Sequence, residues 1–156
     1  MQKSLLATAL GLSLLVTAGS SLAQVSVEDA IKYRQSGYAF MAWNMGNIKA
    51  QLDSPEYNQA RVAAAANAIA AIANSGMGAL YLPGSDQGSG WAPSRLKGEF
   101  FNEPDKARDI AINFSQQASK LQEVAASGDK AAVAAQFGEV GKACKACHDN
   151  FRGPAR

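Results

Sequence analysis

Both cysteines and the only histidine of this 156-residue chain fall within five consecutive positions, Cys144 to His148, close to its C-terminus. On an α-helix, residues three and four apart share a face, so Cys144, Cys147 and His148 point the same way. That face continues upstream through Val140, Phe137 and Val133, an apolar stripe in helical register. The fold must therefore turn all three side chains inward from its last helix. Cys-x-x-Cys followed by His is the signature of covalent c-type haem attachment. The two thiols add to vinyl groups as thioethers, and the adjacent imidazole reaches the iron from one side.

Other uses of the same residues fit less well. Structural zinc wants four protein ligands, and the sequence holds no further Cys or His, so carboxylates would have to complete the set. A thioredoxin-like redox pair expects a βαβ setting, which is missing here. A disulfide between Cys144 and Cys147 closes a tiny loop and adds little stability. Inert core cysteines leave His148 as an unexplained polar group on a buried face.

The opposite end of the chain reads as a leader. Lys3 precedes an apolar run from Leu5 to Val16, and Ser21-Leu22-Ala23 offers the small residues of a cleavage site, with cleavage expected before Gln24. The run is too short to span a bilayer comfortably, although a retained anchor is the alternative. Residues 1–23 are thus expected to be a cleaved signal peptide and 24–156 a single domain, exported to the periplasm. An oxidising compartment suits covalent haem attachment, which takes place outside the cytoplasm. Removing Lys3 from the 15 basic residues leaves 14 against 13 acidic ones. With no basic tract or acidic tail, nothing points to nucleic acid or to anionic lipid.

Alanine is abundant and clusters of β-branched residues are absent, which favours helix. Four helices follow from their ends and stripes. In the first, Ser26 caps, Glu28 and Asp29 occupy the positive first turn, and Ile31, Arg34, Tyr38, Met41, Met45, Ile48 and Leu52 form one face. A second row, Tyr33, Gly37 and Phe40, widens the apolar surface. The second helix is expected to start with Ser54 as cap and Pro55 in the first turn. It buries Val62, Ala65, Ile69 and Ile72, and ends near Gly76. The third opens at Pro104 and Asp105 and carries Ile110, Phe114, Leu121 and Val124. Gly128 closes it and Asp129 caps the fourth, which runs from about Lys130 through Cys147, with Pro154 beyond. Short links make neighbours antiparallel. The fold class is all-α, an antiparallel four-helix bundle with one long crossover between helices two and three.

The stretches "EDAIKYRQSGYAFMAWNMGNIK", "LPGS" and "FGEVGKACKACHDNFR", with the motif on the last of four helices, carry a family resemblance. The chain resembles the class II c-type cytochromes, specifically cytochrome c prime, over essentially its whole mature length. The first and last stretches are specific, and the middle matches by composition and length. The resemblance implies a homodimer carrying one haem c per chain, held through Cys144 and Cys147. It implies His148 as proximal iron ligand with the opposite face unligated. It also implies Arg152 beside the proximal imidazole, Arg34 and Gln35 at the haem propionates, and Tyr38 over the vacant distal face. The crossover is several residues longer than usual, and Phe100-Phe101 stands where the family has a tryptophan. Trp91 is a candidate substitute, and Ser89 a candidate propionate contact.

Taken from the residues alone, Arg34 in an apolar stripe either meets an anion or snorkels out from the stripe's end. Gln35 is expected at the surface. Arg152 suits the negative end of a helix dipole, and Tyr38 is a core tyrosine whose hydroxyl needs a partner. The sixth iron position decides the function, because electron-transfer haems usually keep two strong axial ligands and gas-binding haems one open side. With no second histidine, a methionine (Met41, Met45 or Met77 in the mature chain, none early in the first helix) or a weak ligand such as a tyrosinate would have to serve. A five-coordinate iron that binds nitric oxide or carbon monoxide and can pass electrons is expected. The alternative is a six-coordinate electron carrier with a methionine ligand. Enzymatic turnover is not expected, since no histidine remains as a distal acid–base. Phe40 and Trp43, beside the inward row, suggest self-association through helix one.

Overall fold

A computed structural model describes residues 25–154; the expected leader, residues 1–23, lies outside them. Helix α1 spans Val27–Asp53, α2 Gln59–Ala73, a short α3 Glu99–Asn102, α4 Pro104–Ser127 and α5 Lys130–Phe151. The expected four-helix bundle is formed by α1, α2, α4 and α5. The crossover is more ordered than its composition suggested. It holds a 3₁₀ turn, Met77–Leu80, and ends in α3. Among the described residues no helix is long and apolar enough to cross a membrane.

The helix ends follow local hydrogen bonding. The Ser26 hydroxyl accepts from the Asp29 amide at 3.0 Å. Asp129 Oδ1 accepts from the amides of Ala131 and Ala132 at 2.9 and 3.1 Å. Gly128 before it sits at φ 78°, the left-handed conformation that glycine adopts without a Cβ penalty. The start of α2 differs from expectation. Ser54 terminates α1 instead, and Asn58 is the cap, its Oδ1 accepting from the Arg61 amide at 3.0 Å. The Asn58 amide is itself held by Gln51 Oε1 at 2.9 Å, so α2 cannot begin a turn earlier without losing both bonds. At the other end, α5 runs a turn beyond Cys147 to Phe151.

The main apolar cluster lies toward one end of the bundle, and Ile31 and Phe151 are buried near the other. In the cluster Ile48, Val62, Ile69, Leu121, Val133 and Val140 are fully buried, beside the α1–α2 and α4–α5 turns. Alanines 65, 66, 118 and 125 let the helices approach closely. Helix α1 packs mainly on α2 and α4 on both α2 and α5, while α1 and α5 touch at few points. The crossover covers the end that holds Ile31 and Phe151. It lies so tightly on α1 that a Cβ on Gly90 would come within 2.7 Å of the Lys32 backbone nitrogen. It is also tied to the end of α5, where Lys97 N donates to Phe151 O at 2.9 Å and Gly153 N to Arg95 O at 2.7 Å.

Candidate functional site

The motif sits on the last turns of α5, a helix that α1 touches at few points. Cys144 and Cys147 are free thiols, half-buried. Burial pushes both thiols up in pKa, as it does for any group whose charged form loses water. His148, expected to turn inward, is exposed near the end of α5; the burial it retains, and then the positive charges of Arg152 and Arg95, shift it down. Its neutral imidazole is therefore favoured, the form in which histidine ligates a metal. Among the described residues no cluster of three His, Cys, Asp or Glu could hold a bare ion. The donor set suits a group that brings most of its own ligands and needs two thiols and one imidazole from the protein.

Tyr38 comes toward this face from α1. Its hydroxyl shares a 2.7 Å hydrogen bond with that of Tyr81 in the crossover, which is the partner its position demanded. Burial pushes the Tyr38 hydroxyl up in pKa, the bond to Tyr81 opposes that, and the Cys147 and Cys144 thiols add to the rise. The tyrosine is nevertheless 41% exposed. Tyr81 is fixed from both sides. The Arg34 guanidinium lies 4.6 Å from its ring centre, and Phe100 stacks on it at 4.4 Å. Phe100 in turn meets Phe151, at the end of α5, edge-on at 5.4 Å. Burial pushes the Tyr81 hydroxyl strongly upward in pKa.

Arg34 is 6% exposed and does not snorkel out. Its Nη1 donates to Leu80 O at 3.1 Å and Ser85 Oγ at 3.0 Å. Its Nη2 donates to Ser85 O at 2.9 Å and Ser94 Oγ at 3.3 Å. All four acceptors are neutral, and no carboxylate pairs with Arg34 among the described residues. Loss of hydration lowers its pKa. A buried cation without a counter-charge is costly, and the carboxylates of a haem would supply one. Gln35 is engaged with the crossover: Nε2 donates to Ala92 O at 2.8 Å and Oε1 accepts from Ala92 N at 3.2 Å. Arg152 caps α5, its amide donating to His148 O at 3.1 Å, and its side chain is exposed.

Cys144 and Cys147 lie half-buried on α5, Tyr38 on α1 is tied to Tyr81 of the crossover, and Arg34 lies against the Tyr81 ring. Gln35 is drawn toward the crossover backbone. Ser89 is exposed; the buried crossover serines are Ser85 and Ser94. Trp91 lies on the outer side of α1, its Nε1 donating to Ser36 Oγ at 2.8 Å. Tyr81, Ser85 and Ser94 were not singled out from sequence. The only hint of Tyr81 was an aromatic residue in a long connection, where no period marks the side that faces inward.

Fold and site define a bundle cytochrome of the c type, whose haem is joined to the last helix. Residues 29–152 match the family model described as Cytochrome C'. A cytochrome c' of Rhodocyclus tenuis is 54% identical over 125 residues, 80% of this chain and 94% of its own. That of Allochromatium vinosum is 52% identical over 153 residues, 97% of this chain and 99% of its own. The chain belongs to the cytochrome c' family, whose members bind haem c covalently. A solved cytochrome c' with ligand-controlled dimer dissociation superposes with a TM-score of 0.79 at 54% identity, covering 83% of this chain and 98% of that one. The nitric oxide complex of a cytochrome c prime variant from Alcaligenes xylosoxidans gives 0.70 at 29% identity, with the same coverage of 83% and 98%. A carbon monoxide-bound variant of that protein gives equal values.

Proposed function

We propose that the chain is an exported haem protein whose iron is held by His148 alone, with the face under Tyr38 open to small uncharged gases. Cys144 and Cys147 carry the thioether links, and Arg34, with Gln35 beside it, supports the propionate side. Arg152, one turn past His148, tunes the imidazole from outside the ligand set. The haem supplies an iron that binds nitric oxide or carbon monoxide and can exchange an electron with exported redox partners. The polypeptide orients the group, excludes bulk water and limits what can approach.

The observation that carries this reading is the identity of the groups opposite the motif. His148 is the only histidine. Met41 is a core side chain at 5% exposure, Met45 packs against the main apolar cluster, and Met77 packs over Gly37, where a Cβ would meet its Cε at 2.9 Å. In this reading Tyr38, tied to Tyr81, stands opposite the motif. These placements disfavour the six-coordinate methionine alternative. The nitric oxide and carbon monoxide complexes of related proteins favour gas binding.

Absorption spectra of the purified protein, ferric and ferrous, with and without carbon monoxide, test the reading. A high-spin ferrous spectrum that shifts on adding carbon monoxide is expected. A low-spin ferrous spectrum indifferent to it would overturn the open face. Export is tested by the mass of the protein recovered from the periplasm, expected to begin at Gln24. Self-association through α1 belongs to the same proposal: Phe40 and Trp43 stack at 5.4 Å and stand 50% and 60% exposed, an apolar patch of the kind that marks interfaces.

A further inference from the structure

We propose that Tyr81 is a positioning residue for the distal face: it latches Tyr38 closed and so sets how tightly a gas binds. The inference rests on the open-face reading above. Tyr38 is the group a ligand must move, and its hydroxyl has one protein partner, Tyr81, at 2.7 Å. Tyr81 cannot follow Tyr38 outward. Its ring is held between the Arg34 guanidinium and Phe100, and its amide donates to Gly78 O at 3.2 Å in the 3₁₀ turn. Arg34 is in turn fixed by four bonds to the crossover. A swing of Tyr38 therefore breaks the hydroxyl–hydroxyl bond instead of carrying it along. With the latch closed, the Tyr38 hydroxyl is also engaged and is less available to an incoming ligand. Both effects oppose binding, and both depend on one oxygen atom of Tyr81.

Tyr81→Phe removes that oxygen and keeps the ring between Arg34 and Phe100. In the haem-loaded protein it is expected to lower the carbon monoxide Kd about two- to ten-fold, the span of one neutral hydrogen bond. The same variant is expected to melt earlier than wild type without ligand, because the closed state has lost a bond. This pairing of opposite signs separates a latch from a merely structural tyrosine, whose loss weakens ligand-free stability and leaves affinity unchanged or poorer. Amide exchange across residues 78–85 is expected to stay as in wild type, reporting that the crossover has not shifted. Adding Tyr81→Phe to Tyr38→Phe is expected to gain nothing further, since the two share one bond. A Tyr81→Phe Kd equal to or above wild type overturns the latch while leaving the open face intact. Wild-type protein that takes no carbon monoxide overturns the open face and the latch together.

Discussion

Arg34 does at one position what a longer core would otherwise do for the crossover. It joins Leu80, Ser85 and Ser94 through four hydrogen bonds in a buried setting, and arginine keeps its charge even where burial opposes it. Arg34→Leu strands those acceptors and is expected to cost about 3 kcal/mol of unfolding free energy, read by denaturant melts of the haem-loaded protein. Arg34→Lys is expected to recover little, because one ammonium cannot reproduce the fork. Tyr57 is the opposite case. Its hydroxyl is buried without a partner, and the nearby Lys130 ammonium, 5.7 Å from the ring centre, donates to Ser54 O at 2.8 Å. Tyr57→Phe removes an unsatisfied group and is expected to raise stability by about 1 kcal/mol in the same measurement; a loss of that size would mean the hydroxyl is paired in solution.

At the level of elements, caps decide where helices start and stripes decide which way they face. Asn58→Ala is expected to cost about 1 kcal/mol. Ser54→Ala is expected to cost less than half of that, since Ser54 Oγ accepts only from the Glu56 amide in the turn, at 3.0 Å; equal losses in paired melts would contradict Asn58 as the cap. Ser54-Pro55 looked like a start because serine before proline is the commoner signal. What overrode it was a long-range bond from Gln51, which no local pattern reveals. The stripes of α1, α2, α4 and α5 were legible because a period of 3.6 repeats over many turns, and the thiol–thiol–imidazole face was legible because its spacing is chemical as well as helical. The crossover was not. Its residues are placed by single contacts, such as Tyr81 on Phe100 and Gln35 on Ala92, that leave no periodic trace. The partner of the Tyr38 hydroxyl could be demanded from sequence but not named, for the same reason.

For the whole molecule, α1 is the element that joins the site to the surface. Tyr38 on it is bonded to Tyr81, and Phe40 and Trp43, within the next five residues, are exposed. A ligand that displaces Tyr38 strains the same two turns that present the aromatic pair, so gas binding and self-association are expected to oppose each other. Sedimentation of the haem-loaded chain with and without carbon monoxide is expected to give a dimer Kd at least about tenfold weaker with the gas. Equal constants would refute the coupling. Trp43→Glu places an unpaired charge in the centre of the patch, and is expected to leave a monomer whose mass no longer responds to carbon monoxide. Linkage then requires a reciprocal effect on the ligand: the Trp43→Glu monomer should bind carbon monoxide more tightly than the wild-type dimer, by the same factor per dimer that the gas weakens association. A monomer with wild-type dimer affinity would show that α1 carries the two surfaces without connecting them.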